Sequence, residues 1–368
     1  MNDTLRAAPV LPPAQLHIDL DALVGNYRAL CRIAAPSRVS AVVKANAYGL
    51  GVGPVAASLM AAGCDTFFVS SLAEGFELRA LAPALRVLVL QGAGGAPADC
   101  LAERLEPVLN TIPEVHEWIA AARGAPAALQ LDTGMNRAGL DAADVGQLAA
   151  EPGVLGALNV ALVMTHLACA DEPGHPLNRM QIERFAALRA LLPPAPTSIG
   201  NSAGTLLGAE YRGDLVRPGL ALYGGRPFAS GPNPVRPVVR LEARVLQVRE
   251  LGEDATVGYG ASARLRPPAR IATVGAGYAD GYPRALGNRG YASIAGRRVP
   301  VIGWVSMDLT TLDISSLPAG AIDVGDTVDL LGGGVPLEEA AELAGTVSYE
   351  ILTRLSTRLV RRYHGDRS

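Results

Sequence analysis

Eight times before Gly225, a short run of aliphatic and β-branched residues gives way to a longer stretch rich in Ala, Leu, Arg and Glu: runs 39–44, 66–70, 86–91, 105–111, 127–132, 158–166, 197–202 and 215–223. That alternation is the signature of repeated β-α units. Several of the runs are apolar at successive positions, as parallel strands are when helices cover the sheet and both faces are buried. Eight such units are the number that closes a (β/α)8 (TIM) barrel. At 368 residues the chain has length left over for a second domain.

The texture changes after Tyr223. A Gly/Pro-rich bridge, 224–237, reads as an interdomain connection, and the boundary is set near Gly231. Runs 239–250, 271–275, 291–295, 298–302, 309–314 and 327–331 then alternate with the period of strands, and 335–344 and 349–363 read as helices. The expected organisation is a barrel over 14–231 and a β-rich C-terminal domain over 232–368, with the segment 1–13 packing on the latter.

Several functions are disfavoured by composition. Lysine and arginine number 32 against 35 aspartates and glutamates, a net charge of -3, and no basic stripe of the kind that tracks nucleic-acid phosphates is present. The uncharged stretch 45–64 is interrupted by Asn46, Gly49, Gly51, Gly53 and Pro54, so no membrane span is expected. Residues 1–13 lack the apolar core of a secretory signal. The four cysteines, Cys31, Cys64, Cys100 and Cys169, have neither disulfide nor metal-ligand spacing, which suits a reducing cytoplasm.

The chemistry sits at the ends of the runs, at Lys44, Gln91, Asn110, Asp132, His166, Asn201 with Ser202, and Arg217. In a barrel these ends converge on one mouth, where active sites are built. Polar residues also simply mark where strands stop, and that reading covers Gln91 and Asn110 well but Lys44, His166 and Arg217 poorly. A strand-end lysine is either solvated or, when partly desolvated, a lowered-pKa amine suited to Schiff-base chemistry. Ile199-Gly200-Asn201-Ser202-Ala203-Gly204 offers a hydroxyl and closely spaced N–H groups, the equipment of a phosphate cradle.

Specific motifs choose among these readings. Val43-Lys44-Ala45-Asn46-Ala47-Tyr48-Gly49, Leu131-Asp132-Thr133-Gly134-Met135-Asn136-Arg137, Met164-Thr165-His166-Leu167-Ala168, the 199–204 turn, Leu215-Val216-Arg217-Pro218-Gly219-Leu220, Val257-Gly258-Tyr259-Gly260-Ala261, Gly277-Tyr278-Ala279-Asp280-Gly281 and Ser306-Met307-Asp308 resemble, in order, segments of the alanine racemase family. The resemblance runs from about Leu16 to about Tyr349. It implies pyridoxal 5′-phosphate (PLP) on Lys44, with the phosphate bound by Tyr48, the Asn201-Ser202 turn and the backbone at Gly219 and Leu220. It further implies Arg137 at the cofactor's phenolic oxygen and the substrate carboxylate, Arg217 donating to the pyridine nitrogen, and His166 hydrogen-bonding Arg217.

Racemisation needs a base on each face of the α-carbon. The resemblance assigns Lys44 to one face and Tyr259 of the partner subunit to the other, with Tyr278 narrowing the entrance and the Met307 amide at the substrate carboxylate. A head-to-tail homodimer acting on alanine, and supplying D-alanine for peptidoglycan, is the implied whole. Three departures stand out: Leu50 replaces a common histidine, Gln130 stands where some members carry a carbamate-modified lysine, and a phosphate-binding tyrosine of some members is missing near Thr357. The rivals are a broad-specificity amino-acid racemase, another PLP barrel enzyme such as a decarboxylase, and a PLP-carrying binding module. Arg217 opposes a decarboxylase, which usually offers an acid to the ring nitrogen, and the domain bearing Tyr259 opposes a bare barrel module.

Overall fold

The computed structural model describes residues 12–365. Its first strand, β1 (Ala14–Asp19), precedes a helix, Leu20–Ala34, and then the parallel strands begin: β2 (Arg38–Val39), β3 (Ala41–Val42), β4 (Thr66–Val69), β5 (Arg86–Val89), β6 (Glu106–Leu109), β7 (Pro126–Gln130), β8 (Asn159–Met164), β9 (Thr197–Ser198) and β10 (Leu215–Val216). Strands β3 to β9 are neighbours in sequential order, all parallel. β2 and β3 are one extended segment interrupted at Ser40, and β10 pairs in parallel with β2. The Ser40 and Val42 amides donate to the Val216 and Pro218 carbonyls (3.0 Å each), which brings the last strand back to the first. Between β9 and β10 the ladder is replaced by single bonds, from the Asp214 amide to the Thr197 carbonyl (2.9 Å) and from the Arg217 amide to the Gly200 carbonyl (2.8 Å).

Double-sided burial explains the unbroken apolar runs: every residue of β4 is buried, Phe67 and Phe68 completely. Helices follow the strands through side-chain caps, Ser71 on Leu72–Leu81, Thr111 on Ile112–Ala122 and Asp141 on Ala142–Ala150. The eighth run needs correction. Only Leu215–Val216 is strand, because Pro218 has no N–H to extend a ladder and 219–225 curls into turns, with the Leu222 and Tyr223 amides bonded to Gly219 and Leu220.

The chain divides into two compact units. Residues 20–237 make the barrel, and the other unit joins the described residues up to Asp19 to Val238–His364. Its sheet is built on a long strand, β11 (Val239–Leu251), followed by a hairpin of β12 (Ala255–Val257) and β13 (Ala263–Leu265), then β14 (Ala269–Val274), β15 (Tyr291–Ile294), β16 (Arg297–Pro300), β17 (Thr310–Asp313), β18 (Thr327–Leu331) and β19 (Val360–His364). The order is β16-β15-β18-β11-β1-β19, with β14 on β11 and β17 on β14. Alternating burial along the first half of β11 shows one face on the core.

Two expectations change here. Ala14–Asp19 lies in this sheet, antiparallel to β11 and parallel to β19, not in the barrel. The helix expected over 349–363 is a helix only over Ser348–Arg354, and Val360–His364 is strand because its alternating Val-Arg-Arg-Tyr-His pairs with β1, more than 300 residues away in sequence. Of the segment 1–13, the Pro13 carbonyl accepts from the Arg244 amide at 2.8 Å, and the part before residue 12 lies outside the described residues. Among the described residues no helix is long and apolar enough to cross a membrane.

Candidate active site

Lys44 lies two residues past the end of β3, and the chain then turns through a left-handed helical turn. Ala45, Asn46, Ala47 and Tyr48 have φ of 53, 53, 52 and 55°, none of them glycine. Each such residue costs about 1–2 kcal/mol, so the turn persists only where its surroundings hold it. The amides of Ala47 and Gly49 bond to the Val43 and Ala45 carbonyls (2.8 Å each). The Asn46 side-chain oxygen accepts from the Val52 amide and Glu74 accepts from the Ala45 amide, both at 2.7 Å. No pattern in the residue types announced this conformation.

Tyr48 is buried with its ring 4.7 Å from that of Tyr223, whose hydroxyl donates to the Val42 carbonyl at 2.9 Å. Gly219 faces it: a Cβ there would lie 2.3 Å from the Tyr48 hydroxyl oxygen. The buried Ser202 hydroxyl accepts from the Gly219 and Ala221 amides at 3.0 and 3.1 Å. Among the described residues the Leu220 amide between them has no acceptor. Asn201 caps the helix Ser202–Leu207 by accepting from the Gly204 amide at 2.9 Å, so it orients the turn. Tyr48, Ser202, Gly219 and Leu220 therefore converge on a cradle of O–H and N–H groups suited to an anion.

Arg217 is 4% exposed. Its Nη1 donates to the Ser198 hydroxyl and its Nη2 to the Thr165 carbonyl, both at 2.6 Å. Nε makes no hydrogen bond to the described residues. The hydrogen bond from His166 to Arg217 implied by the resemblance is not formed; the terminal nitrogens donate instead to Ser198, Thr165 and, at 3.3 Å, the Ile199 carbonyl. Those anchors are themselves anchored. The Thr165 hydroxyl bonds to the Thr133 hydroxyl at 2.8 Å, and the buried Gln181 amide donates to Thr133 and to the His166 carbonyl at 3.1 and 2.9 Å. Ser198, Thr165, Thr133 and Gln181 escaped the sequence reading; Thr165 had only its place beside His166, and Gln181, inside the helix Pro176–Arg189, had no local signal.

Arg137 stands on a loop shaped by Asp132, whose carboxylate accepts from the amides of Gly134, Met135 and Asn136 at 2.8–3.1 Å. Gln130 donates to the Ala138 carbonyl at 2.9 Å, so this amide fixes the loop just past Arg137. Charge ties the group together. Burial lowers the pKa of Lys44 most, the Arg137 guanidinium lowers it further, and Glu74 opposes both. Burial, then Arg217, Arg137 and Lys44, push His166 down to about 3, which leaves it neutral at physiological pH. Arg217 is lowered by burial to about 9 and stays charged at neutral pH. Lys44, Arg137, His166 and Arg217 thus share one electropositive mouth.

Three further candidates belong to the second unit. Tyr259 lies on a 3-10 turn between β12 and β13 and is 69% exposed. Gly258 before it has φ 76° and approaches Gly303 so closely that a Cβ would sit 3.2 Å from its Cα. Tyr278 and Met307, both exposed, are brought together: the Tyr278 amide bonds to the Ser306 carbonyl (3.0 Å) and the Ala279 amide to the Met307 carbonyl (2.9 Å). Buried Asp280 accepts from the Gly277 amide at 2.8 Å and pairs with Arg358 at 2.7 Å, and Arg358 reaches Asp308 at 2.7 Å.

A parallel barrel whose mouth carries a desolvated lysine, a buried arginine with an open Nε and an N–H cradle defines an enzyme that handles an anionic cofactor or substrate. Residues 18–227 match the model of the alanine racemase N-terminal domain and residues 238–363 that of the C-terminal domain. The chain is 48% identical to an alanine racemase of Rhodospirillum rubrum, covering 96% of each, and 46% identical to a catabolic alanine racemase of Agrobacterium fabrum, covering 95% of this chain and 91% of the relative. The crystal structure of alanine racemase from Bartonella henselae with covalently bound pyridoxal phosphate superposes with a TM-score of 0.92 at 37% identity, over 96% of this chain and all of that one. The biosynthetic alanine racemase from Pseudomonas aeruginosa gives 0.90 at 36%, again over 96% of this chain and all of that one. The chain belongs to the alanine racemase family.

Proposed function

We propose that this chain interconverts L- and D-alanine with PLP held by Lys44, using Lys44 and Tyr259 of the partner subunit as the two opposed bases of a head-to-tail homodimer. The observation that carries the reading is Arg217: buried, charged, gripped at both terminal nitrogens, and with no hydrogen bond at Nε to the described residues. The residues fit the cofactor at both of its ends. The cradle at Tyr48, Ser202, Gly219 and Leu220, oriented by Asn201, offers a hydroxyl and an unengaged N–H to a phosphate, and Arg217 Nε offers a donor to a ring nitrogen.

PLP, when bound, draws electrons from the substrate α-carbon and so acidifies its C–H bond. Arginine does not give up its proton, so Arg217 Nε would donate a hydrogen bond to the ring nitrogen without protonating it and would thereby restrain the electron withdrawal that leads to side reactions such as transamination. Lys44, desolvated and beside Arg137, holds its amine at a lowered pKa, as a base at neutral pH requires. His166, kept neutral, adds no further cation to the mouth. Arg137, exposed on its pinned loop, is assigned to the cofactor's phenolic oxygen and the substrate carboxylate, for both of which a planar guanidinium is suited.

The high exposure of Tyr259, Tyr278 and Met307 in a single chain supports their acting on a partner's site. In that role Tyr278 narrows the entrance and the Met307 amide receives the substrate carboxylate. Relatives named catabolic and biosynthetic are both close to this chain, so supply of D-alanine to peptidoglycan rests on the family resemblance alone. All four cysteines are free, which fits a reducing cytoplasm.

The test is spectroscopic and kinetic. Purified protein should absorb in the visible, lose that band in Lys44→Ala, and interconvert the alanine enantiomers. Tyr259→Phe should slow α-deuterium exchange of one enantiomer far more than the other. Absence of the visible band refutes the cofactor assignment, and equal loss for both enantiomers refutes the two-base assignment.

A further inference from the structure

We propose that Glu74 is a positioning residue for the catalytic segment: its carboxylate clamps the left-handed turn 45–48 to the end of β4 and thereby sets where Lys44 and Tyr48 stand. Glu74 lies in the first turn of the helix Leu72–Leu81, four residues after Ser70, which is the first residue past β4. One carboxylate oxygen accepts from the Ser70 amide at 2.7 Å, and the other crosses to the neighbouring strand end and accepts from the Ala45 amide at 2.7 Å. The left-handed turn satisfies its later amides internally, those of Ala47 and Gly49 through Val43 and Ala45. Its first amide, that of Ala45, has no carbonyl behind it. Glu74 supplies that acceptor, as a capping side chain does at the start of a helix.

A second site in the same barrel isolates what is particular to Glu74. Glu114 sits in an equivalent Ser/Thr-x-x-Glu box, with its own amide donating to the Thr111 hydroxyl (3.3 Å) and one oxygen accepting from the Asn110 amide (2.6 Å). Its other oxygen lies beside Gly92, just past the end of β5, but accepts no hydrogen bond from the described residues. The local box therefore accounts for one half of the Glu74 carboxylate only. The remaining half engages a turn of four strained residues, which has no reason to persist without such partners. Glu74 is also the carboxylate whose field acts on Lys44, opposing the effects of burial and Arg137.

This inference rests on Lys44 being the lysine that holds PLP. The experiment compares holoenzymes: wild type, Glu74→Ala, Glu74→Gln, Glu114→Ala and Lys44→Ala. Two quantities are read, the rate at which hydroxylamine extracts PLP, followed by loss of visible absorbance, and hydrogen exchange in the peptide spanning 44–52. Removing a charge-assisted bond should speed extraction by about tenfold or more in Glu74→Ala and raise exchange in 44–52. Glu74→Gln can accept from only one of the two amides and should move in the same direction, which keeps the test alive if the alanine variant does not fold. Glu114→Ala should lose thermal stability while keeping wild-type extraction within about twofold, since its box is local.

Wild-type extraction in both Glu74 variants, or Glu114→Ala matching Glu74→Ala, overturns the proposal. A visible, borohydride-reducible band persisting in Lys44→Ala overturns instead the reading of Lys44 on which it rests.

Discussion

Gly219→Ala is the smallest change that probes the cradle. A Cβ at residue 219 would stand 2.3 Å from the Tyr48 hydroxyl oxygen and 2.8 Å from its Cζ, where ordinary contact begins at 3.4 Å. The hydroxyl must therefore retreat by 3.4 minus 2.3, or 1.1 Å. It has little room, because the Tyr48 ring rests on Tyr223, which is tied to Val42, and its backbone is part of the left-handed turn. Gly219 cannot retreat freely either, since its amide is held by Ser202. A displacement of that size breaks any hydrogen bond from Tyr48 to a phosphate, a loss of about 1.5–3 kcal/mol for a charged acceptor, or roughly 10- to 150-fold in PLP affinity.

Overpacking adds a stability loss of about 1–3 kcal/mol. Equilibrium dialysis against PLP, read by absorbance, gives the affinities of wild type, Gly219→Ala, Tyr48→Phe and the double variant. The two single changes remove the same donor, so the double variant should bind no worse than the weaker single one. Wild-type affinity in Gly219→Ala, or full additivity with Tyr48→Phe, would refute the argument.

Other consequences concern the anchors and the charges. Ser198→Ala leaves the buried Arg217 Nη1 and the Leu215 carbonyl without their common partner, and urea denaturation should record a loss of about 1–3 kcal/mol together with a shifted visible band; an unchanged band would show that Ser198 does not orient Arg217. His166 has its folded pKa depressed to about 3 from 6.5, so its contribution to stability is present above pH 6.5 and is lost as the pH falls toward 3, while the unfolded chain takes up a proton that the folded one refuses. The slope approaches about 1.4 kcal/mol per pH unit below 6.5. His166→Gln should therefore lose less stability than wild type between pH 6.5 and 5 in matched urea titrations, and parallel curves would contradict the burial of a neutral imidazole.

Much of the architecture could be read along the chain because its cause is local. A strand segment buried on both faces is apolar at successive positions, so residues 67–69 of β4, 87–89 of β5 and 107–109 of β6 were legible as short apolar runs. The polar residue closing each run was legible too, and in a parallel barrel such strand ends, here Lys44, Asp132, His166, Ser202 and Arg217, fall at one mouth. The eighth run misled, since 219–225 is apolar for a different reason: it forms buried turns, the first of which carries the cradle amides of Gly219 and Leu220. Val360–His364 misled because its strand character depends on a partner at the other end of the chain.

The sequence by itself determined the barrel, the family and the residues proposed to carry the chemistry, since these are written in short segments and in the period of burial. Tertiary structure alone decided how those residues are held. Four residues in a left-handed turn are unfavourable in isolation and exist because Glu74 and the backbone around them accept their amides, while the Asn46 side chain ties the turn to the Val52 amide. Arg217 points as it does because Ser198 and Thr165, with Thr133 and Gln181 behind them, take its terminal nitrogens from different strands and a helix. Such arrangements depend on groups that meet only when the chain is folded, which is why composition and spacing are silent about them.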